Sequence, residues 1–193
     1  MNTYDFVHQI VARRFLRRAF RVEVVGAELI PATGPVILAA NHDAIWDPFV
    51  LGVATPRAIH YMAKAELFRW RPLAYVVRSL NAFPVERGGG DQAAITEAVR
   101  LLANGEVIGI FPEGTSKPSL KNGWHRGAAR LALSTGAPLV PVRLIGTRRL
   151  PLPTRVGIAI GEPIVVPAQR PTIVAARALT ERLERAVAGA GAV

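Results

Sequence analysis

The stretch Val36–Pro48 reads VILAANHDAIWDP. Its first five residues are uninterruptedly apolar, the pattern of a strand buried on both faces, and the polar residues begin where that strand ends, at Asn41. In open α/β sheets, chemistry gathers in the loops beyond the carboxyl ends of the strands. Histidine is the side chain whose basicity suits proton transfer at neutral pH, which makes His42 a candidate general base. Asp47, five positions on, is near enough through one turn to hold the far ring nitrogen and stabilise an imidazolium. Asp43 competes for that role, although an adjacent side chain reaches back poorly. The plainer alternative is two polar residues closing a loop.

Working outward, FRVEVVG (20–26) alternates like a strand, RAIHYMA (57–63) is a further strand, and KAELFRWRPLAYVVRSL (64–80) reads as helical, with Pro72 starting, kinking or breaking it. AFPVE (82–86) is a short extended piece before the turn RGGG (87–90). Asp91 caps a helix running to Asn104, with Gly105 as its stop. The alternation then repeats: strand EVIGIF (106–111), loop PEGTSKPSLKNGW (112–124), helix HRGAARLALST (125–135) stopped by Gly136, and strand PLVPVRLI (138–145). RVGIAIG (155–161) and PIVV (163–166) read as short strands, and Pro171 opens a last helix ahead of the small-residue tail AGAGAV (188–193). Strands alternating with helices give an α/β fold: a central mixed, largely parallel sheet flanked by helices.

The chain has 193 residues, half of them apolar, and no cysteine, which removes disulfides, thiolate metal sites and a cysteine nucleophile together. No G-x-S-x-G elbow supplies a serine nucleophile, so a base at position 42 is expected to act on a hydroxyl of the substrate. Apolar runs reach five residues, far short of the roughly 20 that a spanning helix needs. The net charge of +10 calls for an anionic partner: nucleic acid, a phosphorylated substrate or an anionic membrane surface. Arg13, Arg14, Arg17, Arg18 and Arg21 share one side of an amphipathic helix, which is either a docked surface helix or a membrane-surface element. Basic residues interleaved with aromatics, the mark of nucleic-acid binding, are missing. Residues 1–21 are therefore assigned to this helix, 22–188 to one α/β domain and 189–193 to a flexible tail.

Two further clusters suit an anion. Arg87 offers a planar fork of donors ahead of three glycines. In FPEGTS (111–116), Gly114 and the Thr115 hydroxyl add donors, while Glu113 either orients Arg87 or binds a substrate hydroxyl. Taken singly, these are also a flexible turn and a capped loop. The run GGGDQA from Gly88 satisfies a dinucleotide-loop pattern, weakly, because Pro84 interrupts the strand before it.

In order along the chain, NHDAIWDP, AKAELF, AFPVERGGGD, FPEGTS, HRGAARLAL and APLVPV resemble the glycerolipid acyltransferases, over roughly Val22 to Pro163. The resemblance implies that His42 deprotonates the free hydroxyl of a lysophospholipid, which attacks the thioester of acyl-CoA or acyl carrier protein, while Asp47 holds the imidazole. It implies that Asn41, Arg87, Glu113, Gly114 and Thr115 bind the acceptor, the last four at its phosphate. Lys64 is either an oxyanion donor near the thioester or a surface lysine. It further implies peripheral attachment to the cytoplasmic face of a membrane, no bound cofactor or metal, and no nucleic-acid partner. Two departures bear on the acceptor: Ala44 stands where the family usually carries serine, and Ser116 where it carries arginine, with Lys117 available as a point charge. The family default acceptor is 1-acylglycerol-3-phosphate. Another lysolipid, a non-catalytic lipid-binding protein and a basic nucleic-acid-binding module are the rivals.

Overall fold

The computed structural model describes residues 17–18, 21–86, 91–120, 122–149 and 155–191. Of the basic N-terminal segment, Arg17 and Arg18 are helical and exposed, and Arg21 ends the segment in a left-handed conformation at φ 44°. Arg13, Arg14 and the remainder of the expected amphipathic helix lie outside the described residues, as does Arg87.

Seven strands form one sheet: β1 (Val22–Val25), β2 (Val36–Ala40), β3 (Ile59–Lys64), β4 (Ala82–Val85), β5 (Val107–Ile110), β6 (Leu139–Ile145) and β7 (Val156–Ile160). Their order across the sheet is β1-β7-β6-β2-β5-β3-β4, parallel at every pairing except β6 with β7. The expected mixed, largely parallel sheet is thus present. Because β7 and β1 both run against the other five, their amino ends share an edge with the carboxyl ends of β2–β6.

The helices are α1 (Asp47–Leu51), α2 (Arg71–Ser79), α3 (Gln92–Ala103), α4 (Gly127–Thr135) and α5 (Ile173–Gly189). All five residues of β2 are buried, because both sheet faces are covered. Ile37 and Ala39 point into a layer with Ala98, Leu101 and Leu102 of α3, Ala129 and Leu133 of α4, and Leu179 and Leu183 of α5. Val36, Leu38 and Ala40 point the other way, onto Val50 and Leu51 of α1 and Val53 just beyond it.

Local chemistry sets the boundaries. The Asp91 side chain caps α3 by accepting from the Ala94 N–H, and Gly136 closes α4 at φ 72°. Pro72 starts α2, lying in its first turn, where the missing N–H costs nothing. Three expectations need correction. PIVV contributes a single bridge, Leu139 with Ile164, since its prolines at 163 and 167 deny it a ladder. The tail is docked up to Gly191: α5 continues to Gly189, Ala190 is buried, and a Cβ on Gly191 would approach Ala159 to 2.7 Å. Thr172, not Pro171, is the capping residue of that helix.

At the edge where the parallel strands begin, the Arg57 guanidinium donates to the carbonyls of Pro31 (2.9 Å), Gly34 (2.6 Å) and Gly105, tying three loops together. Burial pulls Arg57 below the usual guanidinium range, with Glu106 acting against that. Arg57→Met strands these carbonyls, and a loss of about 2 kcal/mol, roughly 5 °C in Tm, is expected from thermal denaturation. An unchanged Tm would show that water satisfies the three oxygens.

Candidate active site

After β2 the chain leaves through α1 toward one face of the sheet, and after β5 it leaves through α4 toward the other. β2 and β5 are neighbours, so their carboxyl ends open a crevice at the point where the connections diverge. The loops at that point are the two with the strongest chemical signature in the sequence, 41–47 and 111–117.

His42 Nδ1 lies 2.8 Å from Asp47 Oδ2. The same oxygen accepts the backbone N–H of Asp43 (2.6 Å) and of Ala44 (2.8 Å). Asp47 is 0% exposed, and a buried carboxylate keeps its charge only where donors converge on it. An ionised Asp47 can only accept, so Nδ1 carries the ring hydrogen and Nε2 is left with a free lone pair. The His42 side chain keeps 18% exposure, leaving it open to a substrate.

The histidine is fixed from two further directions. Its backbone N–H donates to Glu113 Oε2 at 2.9 Å, linking the β2 loop to the β5 loop. Its ring stacks on Phe111, with centroids 4.5 Å apart and planes inclined by 26°. Phe111 in turn lies 6.3 Å from the ring of Tyr61, whose hydroxyl donates to the Pro48 carbonyl at 2.8 Å. Burial pushes the Tyr61 phenol up, so it remains a neutral donor. Gly109 makes room for this ring, because a Cβ there would stand 2.6 Å from it.

Neither Phe111 nor Tyr61 stood out in the sequence, where both look like ordinary strand apolar residues. The aromatic placed directly before PEGT was the one available signal.

Asn41, expected to bind substrate, is hydrogen-bonded within the protein through both ends of its amide. Its amide donates to Asp43 Oδ2 (2.9 Å) and to the Leu144 carbonyl (3.0 Å), and its oxygen accepts the Leu144 N–H (2.7 Å). This stitches the end of β6 to the loop 41–47. Gly114 takes φ 69° and donates its N–H to the Phe111 carbonyl, closing the turn that sets Glu113. The Thr115 hydroxyl accepts from the Lys117 N–H at 3.2 Å. Lys64 ends β3, beyond the Tyr61–Gly109 pairing, on the same edge of the sheet. Asp43, the rival partner for the imidazole, is held by Asn41 and by Arg148 Nη2 at 3.0 Å.

A largely parallel sheet with an imidazole–carboxylate pair at its switch point is an arrangement able to move a proton at the mouth of a crevice. The Acyltransferase family model matches residues 21–145, which contain β1 to β6 and both loops of the crevice. The chain belongs to that family. It is 36% identical over 147 residues to the 1-acyl-sn-glycerol-3-phosphate acyltransferase of Bacillus subtilis, covering 74% of this chain and 73% of that one. It is 34% identical over 132 residues to the protein of the same name from Borreliella burgdorferi, covering 66% of this chain and 52% of that one. The crystal structure of the 1-acyl-sn-glycerophosphate (LPA) acyltransferase PlsC from Thermotoga maritima superposes with a TM-score of 0.71 at 26% identity, covering 96% of this chain and 81% of that one.

Removing the Asn41 amide leaves the buried Leu144 N–H unsatisfied and frees the end of β6. Asn41→Ala is expected to lower stability by about 1–3 kcal/mol in denaturant unfolding. Full stability with a raised acceptor KM would instead return Asn41 to a direct substrate role.

Proposed function

We propose that this protein transfers a fatty acyl chain from a thioester, acyl-CoA or acyl carrier protein, to the free hydroxyl of a lysophospholipid, with 1-acylglycerol-3-phosphate as acceptor and phosphatidic acid as product. The bond from His42 Nδ1 to Asp47 carries this reading, because it turns the other ring nitrogen into a base for an incoming hydroxyl. His42 Nε2 takes the hydroxyl proton as the acceptor oxygen attacks the thioester carbonyl, and Asp47 stabilises the imidazolium. The tetrahedral adduct collapses with loss of the thiolate, which takes up the proton from His42. No acyl-enzyme forms, and no bound cofactor enters.

In this scheme Lys64 stabilises the oxyanion, while Arg87, Gly114 and Thr115 hold the acceptor's phosphate. Glu113 both braces His42 through its backbone and faces the acceptor. The names of the Bacillus and Borreliella relatives support the acceptor chosen. Ser116, standing where the family carries an arginine, favours as a second reading a lysolipid whose headgroup needs one cationic contact fewer.

Both lipids live at a bilayer, and the edge that carries His42 is suited to meet one. Ile45 and Trp46 flank the catalytic residues, exposed Trp70 lies between exposed Arg69 and Arg71, and Leu120 is exposed beside Lys117. Arg17, Arg18 and Arg21 lead into β1 at the same edge. Arginines at an anionic leaflet contribute about 1 kcal/mol each, and apolar tips add to this. Among the described residues no helix is long and apolar enough to cross a membrane. In this reading the arginines and apolar tips hold the protein as a peripheral enzyme on the cytoplasmic face of the membrane.

Transfer of labelled acyl chains to 1-acylglycerol-3-phosphate tests the chemistry. His42→Ala is expected to lose about 10²–10⁴ in turnover while staying folded, and Asp47→Asn somewhat less. Wild-type turnover by the alanine variant would refute the assigned base. For the surface, Ile45→Glu with Trp70→Glu should release the protein from vesicles containing an anionic lipid, measured by co-sedimentation. Undiminished binding would place the membrane contact elsewhere.

A further inference from the structure

The turn after β6 presents an arginine to which the scheme above gives no part in the reaction. Gly146 adopts φ 82°, and a Cβ there would meet the Arg155 carbonyl oxygen at 2.6 Å, so the turn is built on glycine. Thr147 follows with 1% exposure, anchoring the backbone, and Arg148 is then directed back over the catalytic loop. Its Nη2 donates to Asp43 Oδ1 at 3.0 Å, one residue from His42. The Asn41 stitch to Leu144 holds β6 and the catalytic loop in fixed relation, so Arg148 sits at a set distance from the base.

The pair has the properties of a temporary contact. The Arg148 side chain is 58% exposed and that of Asp43 27%, and an ion pair so hydrated is worth little. One nitrogen of the guanidinium meets the carboxylate in a single bond, whereas a phosphate oxyanion can take two parallel ones. β6 and β5 flank β2 on opposite sides, so Arg148 faces His42 from the side away from Glu113. The charge continues outward: Arg155 precedes β7 and Arg21 precedes β1, side by side through the Val22–Val156 pairing. Both substrates of the proposed reaction carry phosphate, the acceptor in its headgroup and the thioester donor in its phosphopantetheine arm.

We propose that Arg148 is a phosphate-binding residue for one of these substrates, and that Asp43 holds its guanidinium in reserve until the phosphate arrives. The choice of ligands rests on the acyl-transfer reading. The contact is separate from Arg87, Gly114 and Thr115, and it supplies a cation on the flank opposite the loop in which Ser116 has replaced one.

Calorimetric titration of the folded protein with coenzyme A, and separately with 1-acylglycerol-3-phosphate in neutral detergent micelles, tests the pair. Arg148→Gln is expected to weaken one of the two ligands by about tenfold or more, with Arg148→Lys recovering part of the loss. Asp43→Asn is expected to tighten that same ligand, because the competing carboxylate is gone. The ligand affected identifies which substrate the arginine serves. A pair that only braces the loop fails alike from both ends. Weaker or unchanged binding in Asp43→Asn therefore overturns the reserve role, and unchanged binding of both ligands in Arg148→Gln overturns the phosphate contact. Acyl transfer by the wild-type protein separates the two levels. Turnover with failing titrations removes Arg148 alone, and a wild-type protein that neither binds these ligands nor acylates removes the underlying reading too.

Discussion

A carboxylate with no solvent around it depends on the donors the protein brings to it, and at Asp47 these converge on one oxygen and organise the crevice, while Oδ1 is buried without a partner. One oxygen collects two backbone N–H groups and an imidazole. Folding the loop 41–47 so that those amides converge is therefore the same event as orienting the histidine. Were the aspartate at the surface, water would do as well, and the ring would be free to turn. Burial converts an ordinary polar contact into a constraint on both backbone and base.

The sheet supplies the second half of that constraint. β2 and β5 lie side by side while their continuations part to opposite faces, so the residues directly after them are neighbours with space between. Contacts then run from core to imidazole without a gap: Gly109 admits the Tyr61 ring, Tyr61 braces both the Pro48 carbonyl and Phe111, and Phe111 lies under the His42 ring. Glu113 closes the loop from the other strand by taking the His42 N–H. His42 is thus held by three kinds of contact from two loops: the Asp47 carboxylate of its own loop, and the Phe111 ring and Glu113 carboxylate of the loop after β5.

What could be seen in the sequence follows from the range of each interaction. The buried strands, the caps at Asp91 and Gly136, and the pairing of His42 with Asp47 are local, governed by residue period or by a single turn, and they were legible. The bonds of Asn41 to Leu144 and of Glu113 to the His42 backbone join positions 103 and 71 apart, and no spacing rule reaches that far. The bonds that Asn41 makes within the fold were consequently not among the expectations. Phe111 and Tyr61 were hidden differently, since an aromatic on a strand has the same appearance whether it fills a core or supports the ring of His42. The PIVV segment and the tail after Val187 misled because apolar or small-residue content says nothing of whether a partner strand or helix is waiting.

The reversal of β7 and β1 has a practical corollary. Since these strands run against their neighbours, the segment entering at Arg21 arrives beside the crevice, whereas β7 finishes at the opposite edge, where Gly191 lies against Ala159. Fluorophores, affinity handles or surface tethers joined after that glycine hang from the remote side of the molecule. The protein can thus be immobilised by its rear, with the edge that carries His42 turned toward whatever is offered to it.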